Sequence, residues 1–209
     1  MTPDRRLALW AGLLYLATFA TSIPALALKT AYLADGAEPV FASAGAVLEL
    51  ALAAACVGTA LALYPLTRRH SEPLALGFVA SRTIEATTIV VGVLALMSVV
   101  TLRAGGESDA ALVAIHNWAF LLGPAVMAST NGLLLGTVLL RARLVPRVIP
   151  IVGLVGAPIL LLSSVAVLCG LWTQTSTIGA LSSLPIAAWE LALGLWLTFR
   201  GVRDVAASS

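Results

Sequence analysis

The stretch "PLALGFVASRTIEATTIVVGVLALMSVVTL", residues 73–102, contains two charged residues, Arg82 and Glu85, in an otherwise uncharged and mostly apolar run. About 20 apolar residues are enough for an α-helix to cross the hydrocarbon core of a bilayer. Because lipid cannot hydrogen-bond to exposed backbone groups, a spanning segment of this length must be helical. The stretch therefore predicts a membrane-spanning helix that carries an arginine and a glutamate in its interior.

The rest of the chain has the same character. Of its 209 residues, 60% are hydrophobic and 11% are charged, and the mean hydropathy is +1.01. A soluble domain usually has about 25% charged residues. The composition therefore predicts a polytopic membrane protein, surrounded by membrane lipid, with almost nothing left over for a soluble domain and no role in nucleic-acid binding.

Charge clusters and Pro/Gly breaks divide the chain into six apolar segments with short connections. We expect an all-α protein with a single transmembrane domain, residues 1–209, built as a bundle of six transmembrane helices. The predicted helices cover residues of about 7–29, 40–65, 73–101, 110–140, 148–171 and 179–199.

Basic residues are distributed unevenly between the two sides of this six-pass arrangement. Lys29 and Arg103 fall on one side, and nine arginines fall on the other. Because basic residues concentrate in cytoplasmic loops, both termini are expected to be cytoplasmic. The nine are Arg5, Arg6, Arg68, Arg69, Arg141, Arg143, Arg147, Arg200 and Arg203.

Five ionisable residues lie inside the apolar segments, namely Glu49, Arg82, Glu85, His116 and Glu190. A charge at the centre of a spanning helix costs about 2.5–3.5 kcal/mol on insertion scales, so each needs a reason. A rise of ~1.5 Å per residue places Glu49 and Glu190 about 15 Å from the nearest segment end. The same rise places Arg82 at about 13 Å and Glu85 at about 18 Å.

Asn131 and Tyr15 reach a similar depth, so polar groups from five helices are expected in one layer about 10 Å thick. Arg82 and Glu85 are three residues apart and can pair on one helical face. One arginine cannot balance three carboxylates, so at least one glutamate is expected to keep its proton at neutral pH. Such a carboxyl group can act as a proton donor.

Other candidates lie close to this layer. His116, nearer the outer mouth, is a candidate for proton transfer or for a structural hydrogen bond. Trp118, Phe120 and Trp189 are candidates for lining a substrate cavity, although membrane tryptophans more often anchor at the interface. No second His or Cys follows His116 at ligand spacing, and no nucleotide or metalloprotease motif occurs, so we expect neither a metal nor a cofactor.

Three stretches, "LGFVASRTIEA" (76–86), "VPRVIPIVGLVGAPILL" (145–161) and "PIAAWELALGLWLTFRGV" (185–202), together resemble the bacterial membrane family catalogued as domain of unknown function 4386. The resemblance implies a six-helix fold in the bacterial inner membrane, with no settled activity. Val148 stands where an aromatic residue usually follows the proline–arginine pair. The positions that carry over are Arg82, Glu85, Pro146, Arg147 and Glu190.

The preferred hypothesis is a membrane enzyme acting on a hydrophobic isoprenoid or terpenoid, most concretely a protonation-initiated terpene cyclase. Glu190 or Glu85 would protonate an alkene or epoxide, and Glu49 would remove the final proton. Arg82 would keep one carboxylate ionised while its neighbours stay neutral. Small membrane terpene cyclases use acidic residues in this general way, which is an analogy. Aromatic rings would stabilise the carbocation, namely Tyr15, Trp118, Phe120 and Trp189.

Two alternatives remain open from the sequence. The same polar residues suit a small proton-coupled transporter, although the chain is short and shows no inverted repeat. A homodimer would compensate for that size. The other alternative is a lipid-binding or structural membrane protein, whose polar network only specifies helix packing.

Overall fold

The computed structural model describes residues 1–203 and contains six long helices, with no strand among these residues. All six are long and apolar enough to cross a membrane, so the prediction of an all-α, six-helix membrane protein is confirmed. Residues 204–209 of the predicted domain lie outside the described residues. The helices are α1 (Pro3–Leu33), α2 (Pro39–Thr67), α3 (Glu72–Ala104), α4 (Ala110–Ala142), α5 (Val148–Leu168) and α6 (Thr177–Phe199).

The helix ends follow local sequence signals. The Thr2 hydroxyl accepts a hydrogen bond from the Arg5 amide at 3.3 Å, and Pro3 occupies the first turn of α1. Proline suits that position because its missing amide would have no helical partner. Helix α5 ends at Leu168, and Gly170 just after it adopts a φ of 73°. The helix therefore ends before residue 171, where the sequence predicted its end.

Contacts between helix ends define the two ends of the bundle. Arg5 donates to the carbonyl oxygens of Leu197 and Thr198 at 3.1 and 2.7 Å. Arg69 donates two hydrogen bonds to the Asp4 carboxylate at 2.7 and 3.1 Å. We call this end, where the chain starts and α6 finishes, the terminal end. The opposite end carries the connections 34–38, 105–109 and 169–176.

The first and last helices pack closely in the terminal half of the bundle. A Cβ atom at Gly12 would lie 2.8 Å from the Gly194 carbonyl oxygen, and one at Gly194 would lie 3.0 Å from Tyr15 Cβ. Small residues allow backbones to approach this closely in membrane bundles. Toward the opposite end a cavity separates the same two helices, with Ile23 on one side and Ala180 on the other.

Large apolar side chains fill the terminal half. Trp189 of α6 lies directly against Gly153 of α5, where a Cβ atom would meet the indole ring at 2.6 Å. The side chains on the terminal side of the polar residues described below are therefore closely packed. The large, fully buried side chains there include Tyr15, Leu63, Phe78, Leu139, Trp189, Leu193 and Leu197.

Helix α4 changes its winding in the middle. Residues Leu121–Met127 form a π-helical turn, and Pro124 within it removes one backbone hydrogen-bond donor. π-Helical turns are rare and often occur at functional sites. Gly123 brings this turn close to α3, since a Cβ atom there would lie 3.4 Å from the Glu85 carbonyl oxygen. The irregular turn therefore lies beside the charged residues of α3.

Candidate functional site

Arg82 is the centre of a buried polar network, with only 2% of its surface exposed. Its Nη1 atom donates to Glu85 Oε2 at 2.9 Å, and its Nη2 atom donates to Glu190 Oε1 at 3.1 Å. The Asn131 amide of α4 donates to the same Glu85 oxygen at 2.7 Å. These four residues, Arg82, Glu85, Asn131 and Glu190, form what we call the Arg82 cluster.

Aromatic rings and a thiol enclose the guanidinium group of Arg82. The guanidinium carbon lies 5.0 Å from the centre of the Tyr15 ring and 5.8 Å from that of Phe78. Both distances allow cation–π attraction, which is stronger where water is excluded. The Cys56 sulfur lies 3.6 Å from Nη1. These neighbours hold the arginine in place without adding charge.

The two carboxylates of the cluster have different surroundings. Oε2 of Glu85 accepts two hydrogen bonds, from Arg82 and from Asn131, whereas Glu190 accepts one. The exposed fraction of the side chain is 7% for Glu85 and 14% for Glu190. Glu85 therefore accepts more hydrogen bonds than Glu190, and Glu190 is the more exposed of the two.

Two adjoining cavities lie on one side of this cluster, and the smaller one reaches it. The small cavity, about 190 Å³, is lined by Arg82, Glu85 and Glu190. The large cavity, about 530 Å³, is lined by Lys29 and Glu49 among mostly apolar side chains. A ligand in the large cavity would therefore extend toward Glu190. The residues lining both cavities are Ser22, Leu52, Pro124, Leu160 and Ser183.

Lys29 belongs to the wall of the large cavity. It is 3% exposed, its ammonium group forms an ion pair with Glu49, and it lies 4.7 Å from the centre of the Phe120 ring. The sequence predicted the first helix to end at Lys29, but α1 continues to Leu33, so Lys29 is buried inside the bundle. Its stem packs over Gly45, where a Cβ atom would lie 3.0 Å from Lys29 Cγ, and points into the bundle.

This ion pair changes the charge balance inferred from the sequence. Two cations, Lys29 and Arg82, now face three carboxylates, and the excess negative charge falls to the Arg82 cluster. The sequence predicted a single layer of polar residues, whereas the structure has two polar groups at different heights along α2. Glu49 and Cys56 are seven residues apart, which is about 10 Å along a helix. The Arg82 cluster and the Lys29–Glu49 pair are therefore about two turns apart.

The remaining predicted residues divide into two groups. His116 Nδ1 lies 2.8 Å from the Gly92 carbonyl oxygen, and His116 faces Lys29 and Glu49 across a narrow gap. Together with Trp118 and Phe120, it lines a third cavity at the opposite end, which at about 680 Å³ exceeds the large cavity in volume and shares Lys29 and Phe120 with its lining.

Tyr15, Asn131 and Trp189 are fully buried and do not line these three cavities. Asn131 belongs to the Arg82 cluster and Tyr15 contacts it, whereas the Trp189 indole nitrogen has no hydrogen-bond partner among the described residues. Within residues 1–203, no three His, Cys, Asp or Glu side chains approach closely enough to hold a metal ion.

A bundle of six spanning helices around a buried arginine–carboxylate cluster defines a multi-pass membrane protein with an intramembrane polar site. The chain belongs to the family described as Domain of unknown function (DUF4386), whose model matches residues 10–201. The match includes both cations and all three carboxylates of the interior. No curated protein and no solved structure shows significant similarity to the chain.

Proposed function

We propose that this protein is an integral membrane enzyme that uses Glu190 as a general acid on a hydrophobic, isoprenoid-like substrate. The observation that carries the proposal is the position of Glu190. It lines the small cavity, its side chain is 14% exposed, and its hydrogen bond comes from Arg82, which also binds Glu85. An acid of this kind must reach the substrate while remaining shielded from bulk water.

Charge balance supports Glu190 as the proton donor. If both carboxylates of the cluster were ionised, one arginine would leave an excess negative charge in apolar surroundings, which is costly. A single proton makes the cluster neutral. Glu85 already accepts hydrogen bonds from Arg82 and Asn131, so the proton belongs on Glu190.

The cavities support a hydrophobic substrate. The large and small cavities adjoin, their walls are mostly apolar, and together they suit a flexible hydrocarbon chain. Access would be lateral, through the gap between α1 and α6 where Ile23 and Ala180 are exposed. A substrate dissolved in the bilayer would enter without passing through water.

The reaction would be an isomerisation in which no atoms are gained or lost. Glu190 donates its proton to one alkene carbon, and the alkene's π electrons form the new C–H bond. A second alkene of the same chain attacks the carbocation and closes a ring. Phe19 and Phe120 line the cavities and would stabilise the cation through their ring faces.

Loss of a proton to a base completes the reaction. Glu85 is suited to this role because its Oε1 atom makes no hydrogen bond with any described residue and the side chain lines the small cavity. The proton would then return to Glu190 across the small cavity, which both carboxyl groups line. This assignment replaces Glu49, which forms an ion pair with Lys29 about two turns away.

Packing of the terminal half favours an enzyme over a transporter. A transporter needs a path that opens alternately to both faces. Here the side chains of Tyr15, Phe78, Leu193 and Leu197 fill the space between the Arg82 cluster and the terminal end. The cavities open on the other side of the cluster.

The orientation proposed for the chain has both termini in the cytoplasm of a bacterial inner membrane. The nine arginines of the terminal end face a single exposed basic residue, Arg103, at the opposite end, since Lys29 is buried. Cys169 is exposed at the opposite end and provides a native probe. A membrane-impermeant maleimide should label Cys169 in spheroplasts, and labelling only after lysis would reverse the orientation.

The test of the enzyme proposal uses membranes that contain the protein, incubated with farnesol or geranylgeraniol. We expect a product of unchanged mass, formed at least ~100-fold more slowly by Glu190→Gln, since positioned acids contribute about 10²–10⁴-fold. Glu72→Gln, on an exposed residue of the terminal end, is the matched control and should keep full activity. Product formation that neither Glu190→Gln nor Glu85→Gln alters would contradict the proposal.

A further inference from the structure

We infer that the Lys29–Glu49 pair is the subsite for the polar head of the substrate and that it selects a neutral hydroxyl group over an anionic one. The inference rests on the proposed function for the reacting end of the substrate. It assigns the other end, and with it a substrate class, namely long-chain isoprenoid alcohols.

The pair lines the large cavity and includes one oxygen atom without a hydrogen-bond partner among the described residues. Lys29 and Glu49 are both buried, yet both line the large cavity. Glu49 uses Oε1 for Lys29, while its buried Oε2 atom has no partner among residues 1–203. A buried carboxylate oxygen without a donor is unfavourable. A ligand hydroxyl would donate to Oε2 and accept from the ammonium group, which has three donors.

Charge determines which head groups fit. Lys29 and Glu49 together are neutral, and the described lining of the large cavity contains no other charged side chain. A carboxylate or diphosphate head would bring further negative charge close to Glu49 in apolar surroundings, where like charges repel strongly. An ammonium head would meet the same difficulty with Lys29. A hydroxyl group satisfies both side chains without net charge.

The spacing of the two polar groups predicts which part of the substrate reacts. Glu49 lies about two turns, or ~10 Å, from Cys56 along α2. Cys56 contacts Arg82, whose other amino group holds Glu190. A chain whose hydroxyl lies at Glu49 therefore reaches Glu190 with an inner or distal double bond. The double bond next to the hydroxyl would lie beside Lys29 and too far from Glu190 to receive its proton.

The test measures binding of three ligands that share one hydrocarbon chain: farnesol, farnesoate and farnesene. The protein is purified with the Glu190→Gln substitution, so that no ligand is consumed. We expect farnesol to bind at least ~10-fold more tightly than the other two, because hydrogen bonds to charged groups contribute that much. Equal binding of farnesol and farnesene would overturn the inference.

Glu49→Gln, introduced into the Glu190→Gln protein, should make farnesoate bind more tightly than farnesol, because Lys29 is then left without a counter-charge. A purely structural ion pair would not produce this reversal. If the variant does not fold, Lys29→Met combined with Glu49→Leu removes both charges together and should bind farnesol and farnesene equally. Retention of the farnesol preference in that double variant would contradict the subsite.

Failure of the inference and failure of the proposed function give different results. Selective binding of farnesol by Glu190→Gln, with no turnover by the unaltered protein, supports the subsite and contradicts the enzyme. Turnover of farnesol and farnesene at equal efficiency and affinity supports the enzyme and contradicts the subsite.

Discussion

Arg82 of α3 donates a hydrogen bond to Glu190 of α6 across 3.1 Å, although the two residues are 108 positions apart in sequence. The other amino group of the same arginine holds Glu85 at 2.9 Å. Glu190, the proposed acid, therefore also joins α6 to α3 through its hydrogen bond with Arg82. Changes at this site should affect both chemistry and stability, and the two effects can be separated by the choice of substitution.

Removing the arginine should destabilise the fold strongly. Arg82→Met leaves Glu85 buried without its cation, and breaking a buried pair in this way costs about 3–5 kcal/mol. Arg69→Met is the matched control, since the Arg69–Asp4 pair is exposed and such pairs contribute about 0–1 kcal/mol. Denaturation of the purified proteins in mixed detergent micelles measures the difference.

Neutralising the partner should restore part of that stability. Arg82→Met combined with Glu85→Gln removes the uncompensated charge, so the double variant should be more stable than Arg82→Met alone. A double variant no more stable than Arg82→Met, or a single variant as stable as Arg69→Met, would show that the ion pair contributes little.

A second prediction concerns the contact between α5 and α6. Gly153→Ala would place a Cβ atom 2.6 Å from the rigid Trp189 ring, and overpacking of this kind costs about 1–3 kcal/mol. Gly77→Ala is the matched control, because its Cβ atom would lie 3.4 Å from Leu134, an ordinary contact. Thermal denaturation in detergent should show a lower midpoint for Gly153→Ala alone. Equal midpoints would contradict this packing.

The fold was largely predictable because the bilayer constrains it. Membrane thickness sets helix length, so six apolar runs predict six helices, and α2 (Pro39–Thr67) differs from its predicted segment by at most two residues. The close approach of α1 and α6 was not predictable. It depends on Gly12 and Gly194 facing each other, and hydropathy does not report which faces meet.

The site was predictable in part for the same reason. The spacing of Arg82 and Glu85 predicted their pairing, and helical depth brought Glu190 to the same level. Lys29 was missed because long basic side chains near helix ends usually extend toward water. Here Gly45 leaves room for the Lys29 stem to point inward, and only the packed structure shows this.

A third prediction concerns ligand binding in the large and small cavities. Ser183 lines both the large and the small cavity, so Ser183→Trp should obstruct ligand binding and lower farnesol affinity at least ~10-fold. Leu184→Trp is the matched control, since Leu184 is 57% exposed and follows on the same helix. Binding of labelled farnesol in nanodiscs measures both variants. Equal affinities would contradict binding in these cavities.

The most direct test of the central claim follows the proton itself. Membranes containing the protein are incubated with farnesol in deuterium oxide, and the product is analysed by mass spectrometry and NMR. We predict one deuterium on a carbon of the product chain, delivered by Glu190, and loss of that product with Glu190→Gln. A product that contains no deuterium, or that forms equally well with Glu190→Gln, would contradict the account.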